Sequence, residues 1–535
     1  MKSTATNNSA EHNASSSKCR DSPTSAEAPA VPSSQAVPDL DDAEGRTSHS
    51  KSLGRAAARG GTGALAGQLG KALIQILGLI LLARALPPDA FGVLAMVIGV
   101  VGITEVMRDL GLTTAVVQAR SISNHQVSQI FWVNFVLGLV LAALLVLSAD
   151  LIAALYRQTE VASVLRVVAV VFVLNAIAAQ YRALLMRQMR FTALAAVDVS
   201  GQALALVLAL VLAYTGMGYW ALAIQQVVQS ALILAGVVNL SKWRPSWPRM
   251  EFRDIVPFLR FGAYYAVTQV VIFASNNAST VILGRLFGPH LLGIYDRAFM
   301  VATTPSNQLA QPASNVAIAT LAKTDMESGS YHRMIRRGIV AIVIPVFGVL
   351  AVCVPFAPRA VELVLGESWI LAGPILQVLA IGTAFQVLGF ASFWIFISTG
   401  NTRSNFFFTV MTRSVAIVVI TFGATYGVSG AAWAYSISMS LIWPAGLLWL
   451  KAILDINTGY LLALGCRQFA GWAGLSGCIF LALGADGWLQ WAPLAAYLLL
   501  AIVGRQFGMF RQDWNDMGSV ANKMLNRRTP MAVTE

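Results

Sequence analysis

Residues 82–92 read Leu82-Ala83-Arg84-Ala85-Leu86-Pro87-Pro88-Asp89-Ala90-Phe91-Gly92. A shift of 201 positions brings them onto Leu283-Gly284-Arg285-Leu286-Phe287-Gly288-Pro289-His290-Leu291-Leu292-Gly293. Arg84 falls on Arg285, Pro88 on Pro289 and Gly92 on Gly293. Carried upstream, the same shift pairs Arg59 with Arg260, Gly61 with Gly262 and Gln68 with Gln269. With Leu82 and Leu283 that makes seven identities in 34 columns, where chance gives about two or three. Several identities fall on glycine and proline, whose backbone roles are special.

The surrounding sequence is that of a membrane protein. Of 535 residues, 56% are hydrophobic and 12% charged, against about 25% charged in ordinary soluble domains. A bilayer core takes about 20 apolar helical residues. Fourteen windows meet that need. They cover 62–84, 90–108, 127–148, 163–185, 192–214, 218–240, 258–283, 290–313, 337–357, 371–397, 406–425, 429–450, 464–483 and 489–504. Windows two and eight each contain several polar residues.

The shift moves window one onto window seven. Six spans is an even number, so both halves enter from the same side and the repeat is parallel. The expected fold class is an all-α polytopic membrane protein with about 14 transmembrane helices. Two parallel-repeat six-helix bundles, 56–250 and 251–455, face a central cleft. Two additional helices follow in 456–510, between a disordered cytoplasmic tail over 1–55 and a C-terminal tail over 511–535. The first tail is rich in Ser, Ala, Asn, Thr and Pro and has no apolar run, so it is not expected to be a secretory signal.

Charge position gives the orientation. The net charge is +12, and alternate loops hold most of it. Those loops carry Arg55 and Arg59, Arg108 and Arg120, Arg182, Arg187 and Arg190, and Lys242 to Arg253. Lys323 to Arg337, Arg403, Lys451, Arg467 and the C-terminal basic residues continue the series. By the positive-inside rule both termini are expected in the cytoplasm. The basic balance therefore belongs to membrane topology, and no nucleic acid is expected as a partner. Cys19, Cys353, Cys466 and Cys478 form no C-x-x-C pair, so no metal and no disulfide framework is expected. There is no Walker loop, dinucleotide fingerprint or clustered catalytic acid. The expectation is a protein that is not an enzyme, with no catalytic residues and no cofactor.

Four further stretches extend the first. They are Asp109-Leu110-Gly111-Leu112-Thr113-Thr114-Ala115, Arg182-Ala183-Leu184-Leu185-Met186-Arg187-Gln188-Met189-Arg190-Phe191, Ile282 to Gly288, and Leu292-Gly293-Ile294-Tyr295-Asp296-Arg297-Ala298. In their order and spacing, over about residues 55 to 460, they resemble the polysaccharide exporters, or O-antigen-type flippases, of the multidrug/oligosaccharidyl-lipid/polysaccharide exporter superfamily. The likeness is to the colanic-acid-exporter-like branch. It implies a MATE-like fold working by alternating access in the bacterial inner membrane, on undecaprenyl-diphosphate-linked oligosaccharide. The cargo's implied destination is exopolysaccharide or lipopolysaccharide. Membrane lipids, a polysaccharide polymerase and export machinery are the other implied partners. Alternatives within the superfamily are a drug or organic-cation exporter and a lipid-II flippase for peptidoglycan. Related sequences often carry Asn-x-Asp before the Gly-Arg of helix seven. Here that place reads Asn277-Ala278-Ser279, without the acid.

Such a cargo sets the candidates. An anionic diphosphate calls for cations inside the membrane, where a charge usually faces a cavity. Lys71, Arg260 and Arg413 are the cationic cavity candidates, with snorkelling or a helix-end role as the plainer reading of the first two. Gln68, Gln75, Gln269, Asn276 and Asn277 are polar candidates for glycan contact, or for bonding between helices. Arg84, Arg285 and Arg297 are diphosphate or structural candidates. Glu105 is a candidate for ion coupling, or a partner of Arg108 one turn on. Tyr264, Tyr265, Tyr295 and Trp394 could stack on sugars or pack.

Overall fold

The computed structural model describes residues 67–109, 122–247, 256–324, 326, 329–454 and 456–483. These belong to one compact unit, Ala57–Glu535. They are helical, with no strand among them. The first half holds α1 (Gly67–Ala85), α2 (Pro88–Asp109), α3 (Asn124–Tyr156), α4 (Thr159–Val168), α5 (Val170–Arg187), α6 (Phe191–Tyr214) and α7 (Tyr219–Ser241). The second holds α8 (Val256–Leu321), α9 (Gly329–Leu365), α10 (Ala372–Ser398), α11 (Thr402–Ala424) and α12 (Gly427–Leu454), followed by α13 (Gly459–Leu483).

Helix occupies each of the first thirteen apolar windows; the fourteenth, 489–504, and both tails lie outside the described residues. Among the described residues, nine helices are long and apolar enough to cross a membrane, with α4 and α5 forming the single span Thr159–Arg187. The nine do not include α8 or α2, of which Pro88–Gly102 is a shorter apolar stretch.

Local signals explain the helix ends. At the start of α3 the Ser123 hydroxyl accepts from the Gln126 amide (3.2 Å), and Gln126 Oε1 accepts from the Ser123 N–H (3.0 Å). That reciprocal box satisfies two amides the first turn leaves unpaired. Arg157 closes the helix in the left-handed region at φ 56°. α8 bends at Gly288, whose φ of 73° a β-carbon would strain. Its two arms, 256–287 and 289–321, are the windows seven and eight expected from the sequence.

The helices pack as lipid-solvated helices do. On α3, Leu147 and Leu151 are 80% and 75% exposed, while Ala149 and Ala153 are buried. Large apolar residues face outward and small ones face neighbours, because lipid rewards no burial of leucine. Gly138 lets α3 approach α5: a β-carbon there would lie 2.5 Å from Ala176 Cβ.

The repeat is built into the contact between halves. α2 and the second arm of α8 cross at Gly92 and Gly293. A β-carbon at Gly92 would be driven into the Pro289 carbonyl, and one at Gly293 into the Pro88 carbonyl. The four residues are two repeat pairs, each facing the other's mate. Asp89 and His290, also 201 apart in sequence, meet at 2.9 Å beside them. Ala83 and Gly284 are a further repeat pair. The Trp369 indole donates to the Ala83 carbonyl (2.9 Å), and a β-carbon at Gly284 would meet the Tyr156 ring at 2.9 Å. An approximate twofold axis therefore runs between α2 and α8, as a parallel repeat demands. One buried apolar cluster spans both halves around it, and a second lies among α8, α9, α10 and α13.

Candidate substrate cavities

Two cavities lie on either side of that axis, in repeat-related places. The first, about 310 Å³, is walled by α1, α2, α6 and α7, with Arg297 and Met300 from α8. The second, about 270 Å³, is walled by both arms of α8 with α10, α11 and α12. Gly78 in the first and Ser279 in the second are one repeat shift apart, as are Ile98 and Phe299.

The linings differ where the repeat has diverged. Gln75, Gln202, Gln225, Gln226 and Gln229 line the first cavity. Arg413, Asn307, Gln386 and Tyr435 line the second. Neither lining contains a carboxylate among the described residues. Half-buried Arg413 has no acidic partner among the described residues. Tyr435 donates to Gln386 Oε1 at 3.3 Å, joining α12 to α10 on the wall beside it.

The other basic candidates are partnered. Asp198, buried on α6, binds Lys71 of α1 and receives both arms of Arg182 from α5, at 2.6 and 2.9 Å. A carboxylate in an apolar helix needs such partners, so Lys71 is bound to Asp198 and does not stand free in either cavity. Arg297 donates twice to Asp296 Oδ2 (2.7 and 3.1 Å) and lies 4.9 Å over the Phe91 ring. Arg84 donates to the carbonyls of Leu363 (2.5 Å) and Val364 (2.9 Å), capping the end of α9. Its repeat mate Arg285 is half-buried and makes no such contact among the described residues.

The polar candidates separate similarly. Gln75 lines the first cavity. Gln68 donates to Gln308 at 3.3 Å, linking α1 to the second arm of α8. Asn277 turns its amide to the Phe273 carbonyl of its own helix, at 3.0 Å. Tyr295 is buried against Phe299, and Trp394 is buried with its indole donating to Ser314 at 2.8 Å. The side chains of Glu105, Arg260, Tyr264, Tyr265, Gln269 and Asn276 lie outside the described residues.

Sequence reading missed Asp198 and four of the five glutamines. The signals were present. Asp198 is the only acid in the apolar run 191–214, and Gln225, Gln226 and Gln229 interrupt another such run.

Relatives agree with this architecture. The chain is 28% identical over 290 residues to "Teichuronic acid biosynthesis protein TuaB" of Bacillus subtilis (strain 168), covering 53% of this chain and 59% of that protein. It is 25% identical over 327 residues to "Lipopolysaccharide biosynthesis protein WzxC" of Escherichia coli (strain K12), covering 60% and 65%. Each match thus spans less than two thirds of the relative's length. Over 84% of this chain and 99% of the other, the fold is similar to "Lipid II flippase MurJ, inward closed conformation", with TM-score 0.66 and 15% identity. Over 72% and 96% it is similar to an inward-facing multidrug resistance MATE family transporter of the MOP superfamily, with TM-score 0.56 and 15% identity. The family profile described as "Polysaccharide biosynthesis protein" matches residues 81–374, over half of the 535 residues, and the chain belongs to that family.

Proposed function

We propose that this protein translocates undecaprenyl-diphosphate-linked oligosaccharide units from the inner to the outer leaflet of the bacterial inner membrane, by alternating access, for surface polysaccharide synthesis. The observation that carries the reading is the pair of repeat-related cavities flanking the axis, with no acid in their walls among the described residues and the cation Arg413 in one of them. A guanidinium in a cavity suits a diphosphate, to which it can donate two parallel hydrogen bonds. Amides suit sugar hydroxyls, which both donate and accept. Family membership supplies the context.

An exporter of organic cations is disfavoured by the same walls, because a cation needs an acid to replace its water. The basic loops support cytoplasmic termini. The division into two six-helix bundles at 56–250 and 251–455 is supported by the repeat-related contacts about the axis. A polymerase acting on the delivered units is the partner this reading requires.

The test is a deletion strain lacking redundant exporters. Surface polymer and undecaprenyl-diphosphate-oligosaccharide are quantified together, the latter by mass spectrometry after treatment with an impermeant reagent. Loss of polymer, with intact intermediate shielded in the inner leaflet, is expected. Normal polymer with unchanged intermediate would sink the reading.

A further inference from the structure

The first cavity carries a chemistry that family membership does not specify. Three helices bring primary amides to one space: Gln75 from α1, Gln202 from α6, and Gln225, Gln226 and Gln229 from α7. Gln225 and Gln229 are one helical turn apart and share a face. None of the five makes a hydrogen bond to protein among the described residues. Each offers two N–H donors and an accepting carbonyl. Gln75 is exposed and the other four are half-buried, so the array is open to a ligand, or to water that a ligand displaces.

Electrostatics narrows the ligand. Arg297, the one cation on the wall among the described residues, is neutralised by its neighbour Asp296 at 2.7 Å. The cavity therefore has no uncompensated charge. A carboxylated sugar entering it would lose its hydration and find no free cation. A neutral sugar would find donors and acceptors in equal supply. It would also find apolar surface at Phe91, Leu94, Ile98 and Leu206 for its C–H faces. The volume of about 310 Å³ is at the lower end for small-ligand sites.

We propose that the amide-lined cavity is a subsite for uncharged, hydroxyl-rich sugar residues of the cargo. The inference rests on the translocation reading above and adds a selectivity to it. Cargo whose sugar in this cavity is a uronic acid is disfavoured.

The test uses the full chain in lipid nanodiscs and three short-chain polyprenyl diphosphates. One carries a neutral disaccharide, one a disaccharide containing a uronic acid, and one no sugar. The wild type is expected to bind the neutral glycolipid about tenfold tighter than the other two, the gain of one or two net hydrogen bonds. The double variant Gln225→Leu/Gln229→Leu is expected to lose that advantage while binding the sugar-free probe within about twofold of wild type. Gln75→Leu provides a second reading from another helix, should the double variant fold poorly. A neutral-sugar advantage unchanged in both variants would overturn the subsite, as would tightest binding of the uronic acid probe. Equal binding of the neutral and sugar-free probes by the wild type would remove the subsite alone. Binding of none of the three would remove the translocation reading, and the subsite with it.

Discussion

At Asp198 a single acid holds two cations from two other helices, Lys71 and Arg182. Removing one partner of a buried ion pair costs about 3–5 kcal/mol. Lys71 and Arg182 are 34% and 28% exposed at the side chain, so water recovers part of that. Asp198→Asn is expected to cost about 2–3 kcal/mol, seen as a lowered unfolding midpoint in detergent. Adding Lys71→Met should restore part of the loss, because one orphaned cation is gone; an additive double mutant would argue against the pairing. Arg413 behaves differently because no acid pairs with it among the described residues. Arg413→Gln is expected to lower translocation about tenfold or more with little change in stability, and Arg413→Lys to keep part of the activity, since Lys retains charge without the paired donors. Loss of folding in Arg413→Gln would mark the residue as structural. These two sites show what a sequence can and cannot disclose. A cation inside an apolar run is visible as an anomaly, and Lys71 and Arg413 were both found that way. Whether an acid lies opposite depends on helices far apart in sequence: Lys71 and Asp198 are separated by 127 positions.

At the scale of elements, the spans were legible because apolar length is a requirement of the bilayer. Their details were not. α9 runs over Gly329–Leu365, beyond its window at both ends, and continues through Pro345, Pro355 and Pro358; membrane helices tolerate proline when neighbours and waters re-satisfy the freed carbonyls. The span Thr159–Arg187 is divided at Ala169, between α4 and α5, with no proline or glycine there to announce it. The repeat was legible through Gly92 and Gly293, and the structure gives their reason: only hydrogen fits where each faces a backbone carbonyl of the other half. A Gly92→Val substitution must therefore push α2 away from α8. Overpacking of this kind costs about 1–3 kcal/mol when side chains can yield, and here the obstacle is backbone, so the upper end is expected, read as a lower melting temperature. Gly389→Ala, where nothing lies within 4 Å of the added carbon, is the control and should leave melting unchanged or slightly raised. Equal effects from the two would mean that the crossing is not held as tightly as described.

For the whole molecule, the proposed translocation raises the question of which contacts between the halves must part for cargo to cross. The repeat-paired residues at the α2–α8 crossing bring the halves into backbone contact at one end of α2, beside the ties of Arg84 to the end of α9 and of Trp369 to Ala83. Asp89 and His290 sit at its rim, each about half exposed. A pair so open to solvent contributes only about 0–1 kcal/mol, so it marks the crossing without being able to lock it. An alternating-access cycle has to separate these two residues once per turnover, while an arrangement that moved cargo along the outside of the helices would leave them together. Cysteines at both positions, in a chain whose Cys19, Cys353, Cys466 and Cys478 are replaced by alanine, can be joined by a short, reducible bifunctional thiol reagent. Cross-linking is expected to stop transport of lipid-linked oligosaccharide, reduction to restore it, and either single cysteine with the same reagent to remain active. If the cross-linked protein transports at the uncrosslinked rate, the two halves do not part at this end, and the cavities beside α2 and α8 must be reached by another route.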